Sequence, residues 1–192
     1  YNNASDYSAG IFDKFKAAYE TAGKKIVAVE AFSDDANTDF QAQINSMKNA
    51  GADFVFLPIY YTPASNILIQ ADKIGYAPTF FGVDGMDGIL TLEGFDTKLA
   101  EGVMLLTPFI ATAEDEATQN FVKAYDEAYG EEPNQFAADA YDCVYAVYKA
   151  MNEAGLDASA SHEDICEALV GLFAGDFTAS GVTGAEMQWN EA

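Results

Sequence analysis

Two aspartates stand in a glycine-rich stretch, FFGVDGMDG, at residues 80–88. The glycines suggest a phosphate-binding turn, but their spacing differs from the G-x-G-x-x-G pattern of dinucleotide-binding loops, and the two carboxylates would repel a phosphate. Asp84 suits a cationic group instead, because a half-buried carboxylate forms charge-assisted hydrogen bonds with an ammonium group, and Gly82 and Gly85 let the backbone come close. A turn or helix cap is the alternative for Asp84 and the preferred interpretation for Asp87.

Three tyrosines lie at the ends of predicted strands and helices, where they could contact a ligand. Tyr60 and Tyr61, in LPIYYTPAS, directly follow an apolar run that predicts a strand. Ligands of an open parallel sheet bind beyond the carboxyl ends of its strands, so one of these tyrosines is expected near Asp84, with half-buried packing as the alternative. Tyr7 and Ser8, in SDYSAG, precede a predicted helix, where Ser8 is expected as the N-cap or, with Tyr7, at the rim of a ligand site.

Helix and strand signals alternate through the first half of the chain. Apolar residues at helical spacing with glycine stops predict helices over about 8–22, from Thr38 or Asp39 to Gly51, and over 62–75. Short apolar runs predict strands at 24–32, 53–59, 77–83 and 102–109. This order predicts an α/β fold, with a parallel sheet, right-handed crossovers and helices on both faces.

The second half is predominantly helical. Helices are predicted over 115–130, 134–155 and 161–173, and short strands at 176–180 and 185–189. The aromatic stretch AADAYDCVYAVYKA is more typical of core packing than of a pocket. The broad apolar faces of these helices need a partner, either in the chain or outside it. Because a helix comes first where an α/β lobe normally has a strand, we expect the chain to be a piece of a longer protein.

Composition excludes several classes of function. Thirty-one acidic and nine basic residues give a net charge of −22, which disfavours nucleic acid as a partner. No apolar run approaches the roughly 18 residues of a membrane span, and the N-terminus lacks the pattern of a signal peptide. Cys143 and Cys166 are expected as small buried side chains, and His162 as an exposed helix start. Neither a metal nor a cofactor is expected, since no ligand cluster is visible.

Six stretches together, in this order and spacing, resemble the C-terminal part of a type I periplasmic binding protein. The resemblance is to the branched-chain amino acid (leucine/isoleucine/valine-binding) family of ABC-transporter substrate-binding proteins. The stretches are SDYSAGIFDKFKAAYETAGKKIVAVEAF, TDFQAQINSMKNAGADFVFLPIYY, FFGVDGMDG, AEGVMLLTPF, FVKAYDEAYGEEPNQFAADAYDCVYA and SGVTGAEMQWNE.

This resemblance implies two Rossmann-like lobes joined by crossing strands, with the ligand in the cleft between them. Residues 1–108 would form the ligand-binding second lobe without its first strand. Residues 109–180 would be the helical part of the first lobe without its N-terminal sheet, and residues 181–192 a returning strand. Phe109, at the crossing, would pack at the hinge or, alternatively, form a wall of the cleft.

The resemblance also implies roles for the candidate residues. Asp84 would pair with the α-ammonium group of the ligand. Tyr60, or Tyr61 in the alternative register, would contribute a hydroxyl group and a ring wall, with Tyr7 at the rim. Groups of the other lobe would hold the ligand carboxylate.

The implied function is capture of a small amino acid, by default a branched-chain one, for delivery to an ABC permease. The protein would be extracytoplasmic, in the periplasm or at the cell surface as a lipoprotein. The alternative is the ligand-sensing domain of a receptor with the same fold. An enzyme is disfavoured and no catalytic residue is assigned, because one histidine and the lack of a G-x-S-x-G or phosphate loop leave no catalytic constellation. Self-association of this chain is possible through its apolar helical faces.

Overall fold

The computed structural model describes residues 1–36 and 38–189, and the chain forms two compact units, Tyr1–Thr107 and Pro108–Ala192. The helices of the first unit are α1 (Asp6–Thr21), α2 (Gln41–Asn49) and α3 (Tyr61–Lys73). Its strands are β1 (Phe54–Leu57), β2 (Thr79–Gly82) and β3 (Met104–Leu105). Short 3-10 helices lie at Asp34–Ala36, Asp84–Met86, Ile89–Thr91 and Thr97–Ala100.

The first unit is built on a parallel sheet in the order β1-β2-β3. One face buries Val55 and Leu57 against α2 and α3, in a core that includes Phe40 and Ile44. On the other face, the ring of Phe15 in α1 stacks on Phe56 with centroids 4.1 Å apart. The α/β prediction is therefore confirmed, with helices on both faces of a parallel sheet.

The strand predicted at 24–32 is wrong. Residues 24–31 lie outside any strand, and Phe32 forms an isolated parallel bridge with Asn2. A β-branched run becomes a strand only when a neighbouring backbone completes its ladder, and β1 pairs with β2 alone in the described sheet. The strand predicted at 102–109 is confirmed only at Met104–Leu105, where it pairs with β2.

Helix starts differ from prediction at two places. Ser5, not Ser8, is the N-cap of α1, and its hydroxyl accepts a hydrogen bond from the Ser8 N–H. Ser8 is buried inside the first turn, where its hydroxyl donates to the carbonyl oxygen of Pro58. Helix α2 begins after Phe40, and the Asp39 carboxylate accepts a hydrogen bond from the first helical N–H, that of Gln41.

The second unit contains three helices and one short antiparallel pair of strands. They are α4 (Glu116–Tyr129), α5 (Gln135–Glu153), α6 (His162–Phe173), β4 (Thr178–Ala179) and β5 (Met187–Gln188). The predicted helices, both predicted strands and the helix start at His162 are thus confirmed. Residues 190–192 of the predicted returning strand lie outside the described residues.

Helix α5 does not bury its aromatic face in this chain, so the predicted core packing of that stretch is wrong here. It buries small residues instead, including Ala146 and Ala150, while Tyr145 and Tyr148 are exposed. Cys143 and Cys166 are also exposed, contrary to prediction, because they lie on helix surfaces that no described residue covers. The predicted apolar face of α5 is thus exposed among the described residues, and its need for a partner stays a prediction.

A buried carboxylate fastens the end of the second unit to α5. Asp142 accepts hydrogen bonds from the Val182 N–H at 2.9 Å, the Thr183 N–H at 2.8 Å and the Thr183 hydroxyl at 2.6 Å. At Gly181 any side chain would collide with this carboxylate. The turn between β4 and β5 is therefore held by the Asp142 carboxylate together with the hydrogen bond that the Gly181 N–H donates to the Gly184 carbonyl. Within the described residues, none of the helices is both long and apolar enough to span a membrane.

Candidate functional site

The loops at the carboxyl ends of β1 and β2 bring three candidate side chains together. Tyr7 lies in the first turn of α1, Tyr60 directly before α3, and Asp84 in the 3-10 turn after β2. The Tyr7 hydroxyl donates to Oδ1 of Asp84 at 2.8 Å, and the rings of Tyr7 and Tyr60 stack with centroids 4.9 Å apart. We name this cluster of Tyr7, Tyr60 and Asp84 the tyrosine–aspartate cluster.

The turn that carries Asp84 fits closely around Tyr7. The Gly85 N–H donates to the Tyr7 hydroxyl at 3.0 Å, so that the hydroxyl accepts one hydrogen bond and donates another. Any Cβ at Gly85 would lie 2.7 Å from that hydroxyl and 3.1 Å from the carbonyl oxygen of Ile59. Gly85 is therefore required for the approach of Tyr7 to Asp84.

The carboxylate of Asp84 has capacity for a further donor. It is half-buried, and among the described residues its Oδ2 atom accepts no hydrogen bond. No lysine, arginine or histidine in the described part of the chain forms an ion pair with Asp84; the described ion pair joins Lys123 to Glu127. A half-buried carboxylate without a cationic partner is suited to a ligand that brings its own positive charge.

Tyr7 is held in its protonated form. Burial, followed by the hydrogen bond to Asp84, raises the pKa of the Tyr7 phenol above its ordinary value of 10.0. The hydroxyl therefore remains a donor to Asp84 throughout the physiological range. The hydrogen bond from Tyr7 holds the Oδ1 atom of Asp84 in place, and the turn after β2 sets the direction of the other carboxylate oxygen.

The two candidate tyrosines of LPIYYTPAS are separated by the structure. Tyr60 is 47% exposed and stacks on Tyr7, whereas Tyr61 packs against the core of the first unit. This placement favours Tyr60 as the ligand-facing residue. The carboxylate of Asp87 accepts a hydrogen bond from the Gly88 N–H, as preferred for a turn residue.

Phe109 belongs to the second unit, where it is buried and packs edge-on against Phe121 at 5.7 Å. This burial favours the packing role for Phe109 over a role in the wall of the cleft.

The sequence did not indicate the hydrogen bond between Tyr7 and Asp84. It also did not indicate that the Gly85 N–H donates a second hydrogen bond to the Tyr7 hydroxyl. The available signal was the position of Tyr7 near the start of a predicted helix and of Asp84 in the turn after a predicted strand, both beside the sheet. In residues 1–36 and 38–189, no group of three or more histidine, cysteine or acidic side chains could hold a metal ion.

Replacement of Tyr7 by phenylalanine is expected to reduce the loss of stability at alkaline pH. The raised pKa means that the unfolded chain releases this proton first, so the stabilising contribution is complete below about pH 10 and decreases as the pH rises above that value. Urea unfolding followed by circular dichroism at pH 8 and 10.5 measures the difference. Tyr129→Phe, at an exposed position, is the matched control. Equal pH dependence in wild type and Tyr7→Phe would contradict this assignment.

Replacement of Gly85 by alanine is expected to lower the free energy of unfolding by about 1–3 kcal/mol, because the new methyl group overlaps the Tyr7 hydroxyl and the Ile59 carbonyl. Gly10→Ala is the matched control, since its Cβ meets nothing within 4 Å and Gly10 lies inside α1. Alanine there is expected to add about 0.5–1 kcal/mol. Denaturant unfolding of both variants checks the pair, and a harmless Gly85→Ala would show that the turn is not tightly packed.

Comparison with known proteins adds a second line of observation. Residues 1–186 match the model of the periplasmic binding protein family. The chain is 27% identical over 168 residues to the leucine-, isoleucine-, valine-, threonine- and alanine-binding protein of Pseudomonas aeruginosa, and the match covers 88% of this chain and 43% of that protein. It is 26% identical to Leu/Ile/Val-binding protein homolog 7 of Brucella abortus, over 81% of this chain and 41% of the relative.

Solved structures similar to this chain are also those of ligand-binding proteins. The branched-chain amino acid transporter substrate binding protein of Streptococcus pneumoniae, in complex with isoleucine, is 29% identical with a TM-score of 0.73, over 98% of this chain and 55% of that one. An extracellular ligand-binding receptor from Rhodopseudomonas palustris shares the fold, with a TM-score of 0.84 at 22% identity, over 97% of this chain and 54% of the other.

The chain thus spans less than half the length of the two relatives compared by sequence. The family match nevertheless extends through both units, from Tyr1 to Glu186. The parallel sheet with flanking helices agrees with the fold of the structural neighbours. On these grounds the chain belongs to the periplasmic binding protein family.

Proposed function

We propose that the protein that carries this chain is an extracytoplasmic solute-binding protein of an ABC transporter. Its ligand would be a small amino acid, and a branched-chain amino acid is the first candidate. This proposal is supported by the names of its relatives, which include a leucine-, isoleucine-, valine-, threonine- and alanine-binding protein and a transporter substrate binding protein solved with isoleucine. The protein would reside in the periplasm or at the cell surface as a lipoprotein.

The assignment of a ligand with an ammonium group depends on one observation, the state of the Asp84 carboxylate. Asp84 is a half-buried carboxylate whose Oδ1 atom is occupied by the Tyr7 hydroxyl and which has no cationic partner in the described residues. An ammonium group offers three N–H donors and a positive charge, and it would meet the free oxygen of this carboxylate. A phosphate or carboxylate group would be repelled at the same place.

Tyr60 would supply the second element of recognition. Its ring is exposed on one side and stacked on Tyr7 on the other, so it presents a rigid apolar face next to the carboxylate. Such a face suits the aliphatic part of an amino acid, and the phenol adds a hydrogen-bonding group. The ligand carboxylate would be held by residues outside the tyrosine–aspartate cluster.

The proposed activity is reversible binding followed by delivery to the permease subunits, without a chemical step. Recognition of a zwitterion requires only that its charged groups be matched and its water displaced. Closure of the protein around the ligand would then present the loaded form to the transporter.

Calorimetric titration of the intact protein with the twenty amino acids tests the proposal. Micromolar binding of one or more aliphatic amino acids, without turnover, is the expected result. Failure of all twenty to bind would contradict the ligand class. Amino acid binding together with unchanged uptake in cells lacking the protein would contradict the transport role and favour the ligand-sensing domain of a receptor.

A further inference from the structure

A buried hydroxyl group joins the two segments that carry Tyr7 and Tyr60. Ser8 follows Tyr7 in the first turn of α1, and it is only 1% exposed. Its hydroxyl donates to the carbonyl oxygen of Pro58 at 2.5 Å and accepts a hydrogen bond from the Asn2 N–H at 2.8 Å. Because it donates one hydrogen bond and accepts another, the direction of this hydroxyl is fixed.

The Pro58 carbonyl belongs to the loop that leads to Tyr60. Strand β1 ends at Leu57, where its pairing with β2 also ends. Pro58 is fully buried, and no other donor among the described residues reaches its carbonyl oxygen. A buried carbonyl group requires a hydrogen-bond partner. The Ser8 hydroxyl therefore satisfies this carbonyl and ties the start of α1 to the loop between β1 and α3.

The tyrosine–aspartate cluster tolerates little movement of α1. The Tyr7 hydroxyl lies 2.8 Å from Oδ1 of Asp84 and 3.0 Å from the Gly85 nitrogen. A Cβ at Gly85 would also lie 3.1 Å from the Ile59 carbonyl oxygen and 3.1 Å from a ring carbon of Tyr60. The turn after β2 thus packs against α1 and against the loop after β1 at the same point. A displacement of about 1 Å would lengthen either hydrogen bond beyond its effective range.

We propose that Ser8 is a positioning residue of the tyrosine–aspartate cluster. Its bond to Pro58 sets the distance between α1 and the loop after β1. That distance places the Tyr7 hydroxyl against Asp84 and Gly85. Ser8 itself does not contact the ligand, because it is buried. This role of Ser8 rests on the proposed function, in which the Asp84 carboxylate meets the ammonium group of an amino acid.

Positioning affects affinity because a carboxylate that is already held in place needs no ordering when the ligand binds. The Tyr7 hydroxyl holds Oδ1 of Asp84, and Oδ2 accepts no hydrogen bond among the described residues. Without the Ser8 hydroxyl, the start of α1 can move away from the loop after β1, and the Tyr7 hydroxyl no longer holds the carboxylate. The ligand must then order the site as it binds, which reduces affinity.

Replacement of Ser8 by alanine in the intact protein tests this role by calorimetric titration with isoleucine. The affinity is expected to fall roughly 10-fold. Ser65→Ala is the matched control, because Ser65 is also buried and its hydroxyl donates to the carbonyl oxygen of Thr62, within α3. The control should change the affinity by less than about twofold. Equal losses in the two variants would overturn the proposal.

A double-variant cycle with Tyr7→Phe separates positioning from a general structural effect. Phenylalanine removes the hydroxyl group that Ser8 positions. Ser8→Ala should therefore weaken isoleucine binding by less than about threefold when Tyr7→Phe is already present. A general structural effect of Ser8→Ala would weaken binding by the same factor with and without Tyr7→Phe. Equal factors would therefore contradict a role that acts through Tyr7.

A measurement without ligand keeps the role of Ser8 testable if the proposed function fails. The Gly85 N–H donates to the Tyr7 hydroxyl, so its hydrogen exchange, followed by NMR, reports whether Tyr7 is in place. Ser8→Ala is expected to accelerate exchange at Gly85 by at least about 10-fold more than at the Leu68 amide inside α3. Equal acceleration at both amides, or none at Gly85, would refute the positioning role. Selective acceleration at Gly85 in a protein that binds no amino acid would support that role and contradict the proposed function.

Discussion

Replacement of Asp84 by asparagine is expected to weaken amino acid binding by roughly 10- to 100-fold, since a hydrogen bond to a charged group contributes about 1.5–3 kcal/mol. The substitution removes the negative charge but keeps an oxygen that can accept the hydrogen bond of the Tyr7 hydroxyl. The fold of the turn should therefore persist while the ammonium group loses its counter-charge. Calorimetric titration of the intact protein measures the change.

Asp87→Asn is the matched control for this prediction. Asp87 lies in the same turn, three residues further on, and its carboxylate accepts a hydrogen bond from the Gly88 N–H. Removal of that charge is expected to change amino acid affinity by less than about threefold, because Asp87 lies outside the tyrosine–aspartate cluster. Equal losses in the two variants would show that general electrostatics, not Asp84, controls affinity.

Replacement of Asp142 by asparagine is expected to destabilise the second unit by about 2–3 kcal/mol. The carboxylate accepts three hydrogen bonds in a buried place, and an asparagine amide would turn an N–H₂ group toward the donors of Val182 or Thr183. With m-values of about 1–3 kcal/mol per molar urea, the urea midpoint should fall by roughly 0.7–3 M.

Trp189 provides the signal for this measurement. It is the one tryptophan in the sequence, and its ring packs against Phe173 and Phe177 in the second unit. Tryptophan fluorescence during urea unfolding therefore reports on the unit that Asp142 stabilises. Glu153→Gln, at the exposed end of α5, is the control and should shift stability by no more than about 0.5 kcal/mol. An unchanged midpoint in Asp142→Asn would mean that the turn at 181–184 does not depend on this carboxylate.

Local signals in the sequence predicted most helices because helix formation is local. Glycine stops at Gly23, Gly51 and Gly75 all have positive φ values, of 72°, 73° and 62°, as a helix end in the left-handed conformation requires. The cap of α1 was misplaced because SDYSAG offers two serines, and only tertiary contact with Pro58 decides that Ser8 points inward.

Strand predictions depended on contacts that a local pattern does not contain. Residues 24–32 have the composition of a buried strand, yet a strand exists only where a second backbone completes the hydrogen bonds. Similarly, the pattern of α5 identified an apolar helix but not which side is buried. Small alanines pack inside while the tyrosines on the other side remain exposed.

Part of the candidate site was predictable from the order of the strands, and part depended on tertiary contacts. The carboxyl ends of neighbouring parallel strands meet at one edge of a sheet, which placed Tyr60 and Asp84 together from sequence alone. The bond between Tyr7 and Asp84 joins residues 77 positions apart, and no spacing rule specifies such a pair. Its discovery required the packing of α1 against the turn after β2.

Recognition of an amino acid's ammonium group by Asp84 can be measured with a thermodynamic cycle. The intact protein and its Asp84→Asn variant are titrated with isoleucine and with 3-methylpentanoic acid, which has the same carbon skeleton without the amino group. The substitution is expected to weaken isoleucine binding by roughly 10- to 100-fold and to leave the weak binding of the deaminated acid unchanged or improved. An equal loss for both ligands would contradict the assignment.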